Sequence, residues 1–274
     1  MFDKNELIIQ RKKLLNNFID YFSEEREVMG VFLGGSLASG NPDAFSDIDF
    51  RVLVDDKVNK EKFLTNFITR TEKIAFIETQ SENYAVLHFK NFIKLDIFIY
   101  YQQELTATVW MKEIKIFKDD GFLKDLKENS KDKKFQLKQK EFDEYLNKFY
   151  AWYHELYRRQ QRKEKNYSEL CTLMLKNILS AFWYFEKGIC PNSIGDWSKI
   201  EGLHSNSKLT DKEQQFLSKN TPVIDISKFM LTISKMLLDT ISKIEQEYPI
   251  KFDKKKFNQL IEIVSYQSMK RRDE

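Results

Sequence analysis

Apolar residues recur at two different periods along this chain, and the period changes near the middle. From about Asn5 to Glu27, Leu7, Ile8, Leu14, Leu15, Phe18, Ile19 and Phe22 follow helical spacing, with Lys and Glu between them. Val31–Phe32–Leu33 then reads as the end of a buried strand, and Phe50 to Val54 as a second strand. Lys60 to Thr71 predicts a helix with Phe63, Leu64, Phe67 and Ile68 on one side. Lys73 to Thr79, Tyr84 to Phe89 and Ile93 to Tyr101 predict strands, and Lys115 to Phe117 a last short one. Helices and strands mixed in this order predict a mixed sheet covered by helices on one face.

From Phe135 the strand-like runs stop. Helices are predicted over Phe135 to Lys163, Tyr167 to Lys187, Asp211 to Leu217, Ile224 to Glu247 and Asp253 to Met269. Ile194 to Ile200 adds a short one. Gly188 suits a C-terminal cap, Pro191 a stop and Thr210 an N-cap. Five or six helices imply a bundle. The lysine-rich, weakly apolar segment Gly121 to Lys140 is the expected domain boundary, and its charge run Ser130–Lys131–Asp132–Lys133–Lys134 reads as a solvated connection. The predicted class is α+β, with a sheet domain over 1–130 and a helical domain over 131–274.

Composition narrows this picture. The 274 residues are 42% hydrophobic and 32% charged, within the range of globular proteins. The 23 Phe and 12 Tyr supply a large core, and 8 Gly and 4 Pro suit long helices. A net charge of +3 does not demand a nucleic-acid partner. Cys171 and Cys190 lack metal-ligand spacing and read as free thiols in a reducing compartment. The first residues do not resemble a signal peptide, and no run of about 18 apolar residues occurs. The expectation is a cytoplasmic protein with no membrane partner.

The candidate chemistry lies between the first two strands. Gly34–Gly35–Ser36 ends the first, and Asp47–Ile48–Asp49 opens the second. Glycines let a backbone approach a ligand, and their N–H groups can face phosphate oxygens. Ser36 adds a hydroxyl and a helix start. Asp47 and Asp49, two apart, share a strand face and repel each other unless a hard cation such as Mg²⁺ joins them. A phosphate cradle beside paired carboxylates suggests metal-assisted phosphoryl or nucleotidyl transfer. Arg51 shares the same face. It either touches a triphosphate or pairs with a carboxylate, the pairing being the favoured reading. His88 reads as structural.

Gly35–Ser36, ten residues, then Asp47–Ile48–Asp49 resembles the signature of the nucleotidyltransferase superfamily with the DNA polymerase β-like fold. The resemblance implies a third carboxylate on a later strand, and Asp96, within Ile93 to Ile99, is the candidate. It implies two Mg²⁺ ions on Asp47, Asp49 and Asp96, and a nucleoside triphosphate, ATP first, held by Gly34, Gly35, Ser36 and Arg51. Asp96 is the expected general base, with Glu155 in reserve.

A sheet domain followed by a helical bundle also looks like the antibiotic nucleotidyltransferases of the aminoglycoside and lincosamide type. That layout implies transfer of an NMP to a hydroxyl of a small-molecule acceptor, with pyrophosphate leaving and the interdomain cleft receiving the acceptor. In the second domain Tyr153, Glu155 and Tyr157 are the candidate acceptor contacts. A core stripe of Trp152 and Leu156 with a charged outer face is the favoured reading of that segment. The alternatives are an adenylyltransferase acting on a protein or RNA partner, as in the antitoxin-like branch, and an inactive nucleotide-binding protein. The oligomeric state is not predicted.

Overall fold

A computed structural model describes residues 3–198, 200–201, 207–218 and 226–270. The chain divides into two compact units, Met1–Lys134 and Phe135–Glu274.

The first unit opens with α1 (Lys4–Glu24), capped by the Asp3 carboxylate, which accepts from the Glu6 N–H at 2.9 Å. The strands are β1 (Val28–Leu33), β2 (Ile48–Val54), β3 (Ile74–Gln80), β4 (Tyr84–Phe89), β5 (Lys94–Tyr100) and β6 (Lys115–Asp119). Between them lie the one-turn α2 (Gly35–Ser39) and α3 (Lys60–Arg70), and α4 (Phe122–Glu128) follows β6. One mixed sheet results, in the order β3-β4-β5-β2-β1-β6. β2 and β5 run parallel, and the other pairs are antiparallel.

Strand alternation separates the two faces. Ile48, Phe50 and Val52 of β2 and Leu95, Ile97 and Ile99 of β5 are buried together with Phe18 and Phe22 of α1 and Leu64 and Phe67 of α3. Phe22 packs against Phe67 at a ring-centroid distance of 4.8 Å and against Phe50 at 5.4 Å. Asp49 and Arg51 of β2 and Asp96, Phe98 and Tyr100 of β5 occupy the other positions and are half-buried.

The second face is not bare, as a one-faced sheet would require. Leu123 and Leu126 of α4 join Phe32 and Leu53 in a separate apolar cluster there. No helix was expected over α4, which precedes the 130–134 charge run. The two leucines lie three apart, so one helical turn buries both.

The second unit contains α5 (Gln139–Gln161), α6 (Lys165–Glu186), α7 (Asp211–Ser218), α8 (Ile226–Glu247) and α9 (Lys254–Lys270). Its core gathers Phe142, Phe149 and Leu156 of α5, Ile178, Phe182 and Phe185 of α6, Ile233 and Leu237 of α8, and Phe257 of α9. Gly188 follows α6 at φ 66°, the left-handed conformation glycine adopts without strain. Thr210 and Glu213 cap α7 reciprocally, as the Thr210 N–H donates to Glu213 Oε2 at 2.7 Å and the Glu213 N–H to Thr210 Oγ1 at 3.3 Å. The short helix expected over 194–200 is absent among its described residues, which form turns. Asn177 ties that stretch down, accepting from the Gly195 N–H and donating to the Asp196 carbonyl, both at 2.8 Å. The expected start of α8 at Ile224 lies outside the described residues.

Candidate active site

Two short connections and two strand starts meet at one end of the sheet. The β1–α2 turn brings Gly34 and Gly35 against β2. The Gly34 N–H donates to the Asp49 carbonyl at 3.1 Å, so that amide belongs to the scaffold. Gly35 has φ 61°, and a Cβ there would overlap Asp49 Oδ2. A Cβ on Gly34 would meet the Arg51 guanidinium. The left-handed backbone at Gly35 favours glycine, whereas an added Cβ at Gly34 would meet only the far end of the flexible Arg51 side chain. Ser36 is buried at the start of α2.

The parallel pairing of β2 and β5 sets Asp49 beside Asp96 in register. Asp47 precedes β2. It joins them through Lys94, whose Nζ lies 3.0 Å from Asp47 Oδ2 and 3.2 Å from Asp96 Oδ1. The three expected acids thus share one end of one face. Lys94 is the residue the sequence reading passed over. The signal was present, because Lys94 and Asp96 are two apart on a strand and must share a face.

Arg51 is paired with Asp49. Its Nη1 donates to the Asp49 carbonyl at 3.0 Å, its Nη2 stands 3.9 Å from Asp49 Oδ1, and the guanidinium lies 5.2 Å from the Phe98 ring centre. His88 is structural, with Nε2 2.7 Å from Glu78 Oε2 and its ring stacked on Phe76 at 4.3 Å.

Burial pushes the Asp96 carboxyl above its ordinary value, and the attraction of Lys94 does not reverse this. For Lys94, burial alone would lower the pKa, but hydrogen bonding to Asp47 and the charges of Asp47 and Asp96 raise it. Both values rise, which favours the charged form of Lys94 but not that of Asp96, the more buried partner, with a side-chain exposure of 16% against 34%.

Among the described residues no group of three or more His, Cys, Asp or Glu stands ready to hold a metal ion. The ammonium of Lys94 lies between Asp47 and Asp96, and Asp49 faces Arg51. This differs from the expected ready-made triad of ligands. The donor set itself still suits a hard cation. It is all oxygen, and Asp96 Oδ1 is buried with no hydrogen-bond partner, Lys94 approaching it only as an ion pair.

Arg11 on α1, a helix in which the sequence showed no chemistry, braces the connection that carries Asp47. Its buried guanidinium donates from Nη1 to the carbonyls of Asp43 at 2.7 Å and Ser46 at 2.8 Å. Burial lowers its pKa, and the charges of Asp43 and Asp47 oppose that.

Residues 16–100 match the family model described as Polymerase beta, Nucleotidyltransferase. This stretch is a polymerase β-like nucleotidyltransferase domain. No curated protein matches the sequence significantly. Among solved structures, an aminoglycoside 6-adenyltransferase from Bacillus subtilis is 14% identical, over 90% of this chain and 95% of that one, with a TM-score of 0.35. A nucleotidyltransferase-like protein from Exiguobacterium sibiricum is 13% identical over 86% and 77%, with a TM-score of 0.42. A spectinomycin adenyltransferase from Enterococcus faecialis, solved with ATP and spectinomycin, is 15% identical over 89% and 100%, with a TM-score of 0.30. These scores are too low to transfer the role of any residue. The matched stretch of this nucleotidyltransferase domain includes Gly34, Gly35, Ser36, Asp47, Asp49 and Asp96.

The second unit corrects part of the acceptor expectation. Tyr153 has no exposed surface and lies within the helical core, so no ligand can stack on it. The stripe runs through Phe149, Tyr153 and Leu156, with Trp152 only half-buried beside it. Glu155 accepts from Arg158 Nη1 at 2.8 Å and from Arg159 Nε at 2.6 Å. Those bonds hold its carboxyl below the usual range, Arg158 first, which makes it a weak proton acceptor. Tyr157 is half-buried against the core. No described helix is long and apolar enough to cross a membrane.

Proposed function

We propose that this chain transfers a nucleoside monophosphate, AMP from ATP in the first instance, to a hydroxyl of a small-molecule acceptor of the aminoglycoside or lincosamide class. The observation that carries this reading is the convergence of Asp47, Asp49 and Asp96 beside the Gly34–Gly35 turn, inside a nucleotidyltransferase domain.

In this reading Asp47, Asp49 and Asp96 hold divalent magnesium, expected as two ions. When bound, the metal supplies charge neutralisation at the phosphates and a lower pKa for the attacking hydroxyl. Gly35 lets Asp49 lie against the turn, Ser36 offers a hydroxyl, and Arg51 keeps Asp49 in place. Asp96 accepts the acceptor's hydroxyl proton. The acceptor oxygen forms a bond to the α-phosphorus, the bond from that phosphorus to the β-bridging oxygen breaks, and pyrophosphate leaves. The raised pKa of Asp96 and the lowered one of Glu155 favour Asp96 as the base. The helical unit is proposed to bind the acceptor, and the reaction is placed in the cytoplasm.

The test is pyrophosphate release across an antibiotic panel with ATP and Mg²⁺, comparing the native chain with Asp49→Asn. The reading expects release to collapse in the variant. Undiminished release would remove Asp49 from the metal site. Labelling of protein or RNA in place of the antibiotics would move the acceptor to a macromolecule.

A further inference from the structure

We propose that Lys94 is a displaceable internal cation, which holds Asp47 and Asp96 together until a metal–nucleotide complex arrives and then passes to the incoming phosphates. This deepens the nucleotidyl-transfer reading and rests on it.

The Lys94 ammonium reaches both carboxylates, at 3.0 Å and 3.2 Å, from a side chain one-third exposed. It occupies the position a cation shared by Asp47 and Asp96 would take. Lys94 and a divalent ion therefore compete for the same oxygens. Counting Arg51, three carboxylates face two cationic side chains, so the cluster carries one net negative charge. A metal arriving alone must displace Lys94 into water without giving it a new partner. A metal arriving with a triphosphate brings that partner. A four-carbon stem with a rotatable ammonium can make such a transfer, whereas Arg51 is held by its bond to the Asp49 carbonyl and its place over Phe98.

Competition of this kind creates positive coupling between metal and nucleotide, each raising the affinity for the other. It also makes the site selective for the complex over the free ion.

The experiment uses the full chain with Mn²⁺ as the metal probe and a non-hydrolysable ATP analogue as the nucleotide. Free Mn²⁺ is read by its paramagnetic resonance, and the analogue is titrated by calorimetry with and without Mn²⁺. Lys94→Met is compared with Lys94→Arg and with the native chain, and circular dichroism checks folding.

We expect Lys94→Met to bind Mn²⁺ alone at least tenfold more tightly than the native chain. We expect it to bind the analogue alone more weakly, and its metal–nucleotide coupling to shrink by at least tenfold. Lys94→Arg should keep free Mn²⁺ binding weak. Unchanged or weaker binding of Mn²⁺ alone by Lys94→Met, with the native chain still binding the Mn²⁺–analogue complex, overturns the role of Lys94 and leaves the transferase reading intact. Analogue affinity unaffected by the loss of Lys94 overturns the transfer to phosphate. If the native chain binds neither Mn²⁺ nor the complex, the transferase reading fails first and this proposal with it.

Discussion

Substituting Gly35 with Ala separates stability from chemistry at the candidate site. Gly35 sits at φ 61°, and a Cβ built there overlaps Asp49 Oδ2. Left-handed backbone costs a non-glycine residue about 1–2 kcal/mol. The overlap falls on the far end of the Asp49 side chain, so the fold can relieve it by turning that carboxylate away. Stability should therefore fall by little more than the backbone cost, lowering Tm by roughly 3–8 °C. The chemistry should suffer far more. Displacing a reacting or binding group by about 1 Å can cost on the order of 100-fold in rate. Thermal unfolding and pyrophosphate release, measured on the same preparation, test both halves. In the Asp49→Ala background the stability cost of Gly35→Ala should shrink to the backbone contribution, a coupling that a double-mutant cycle reads directly. Gly35→Ala with activity within threefold of the native chain would refute the argument that this glycine exists to let Asp49 lie over the turn.

Other perturbations give equally specific outcomes. Arg11→Met removes two charge-assisted bonds to the Asp43 and Ser46 carbonyls. It should cost about 2–4 kcal/mol in denaturant unfolding, because such bonds contribute roughly 1.5–3 kcal/mol each and part of the loss is recovered by water. Activity should fall with it, since Asp47 follows that connection directly. Tyr153→Ala should cost about 3–5 kcal/mol by cavity formation, and any loss of activity should track unfolding rather than appear as a higher KM for the acceptor. Burial pushes the Cys171 thiol up to about 11, so at pH 8 only ~0.1% is thiolate and native alkylation should be slow, accelerating as pH rises or the chain unfolds. Asp96 must be deprotonated to accept a proton, and burial raises its carboxyl. The acidic limb of kcat/KM should accordingly lie above the range of an exposed aspartate, with activity lost as pH falls through it.

Much of this molecule could be read from patterning. The strands carrying Asp49 and Asp96 declared themselves because apolar residues alternate around both acids, and alternation fixes the face. What escaped the sequence depends on contacts between distant segments. Arg11 is one of several charges on an amphipathic helix, and only the fold brings it to residues 43 and 46. Lys94 drew no notice because only the fold places Asp47 beside it. Tyr153 was misjudged because helical phase alone does not say how wide the buried stripe is, and on α5 it reaches this ring. α4 was overlooked because two leucines among lysines give a weak periodic signal.

The account depends on three carboxylates gathering a divalent ion against a triphosphate at the Gly34–Gly35 turn. A crystal soaked with Mn²⁺ and a non-hydrolysable ATP analogue tests this most directly. The predicted result is an anomalous Mn²⁺ peak bonded to carboxylate oxygens of Asp49 and Asp96 and to phosphate oxygens beside Gly35, with Lys94 turned away from Asp47. A nucleotide bound elsewhere, or seated at the turn with no metal on these aspartates, would contradict it.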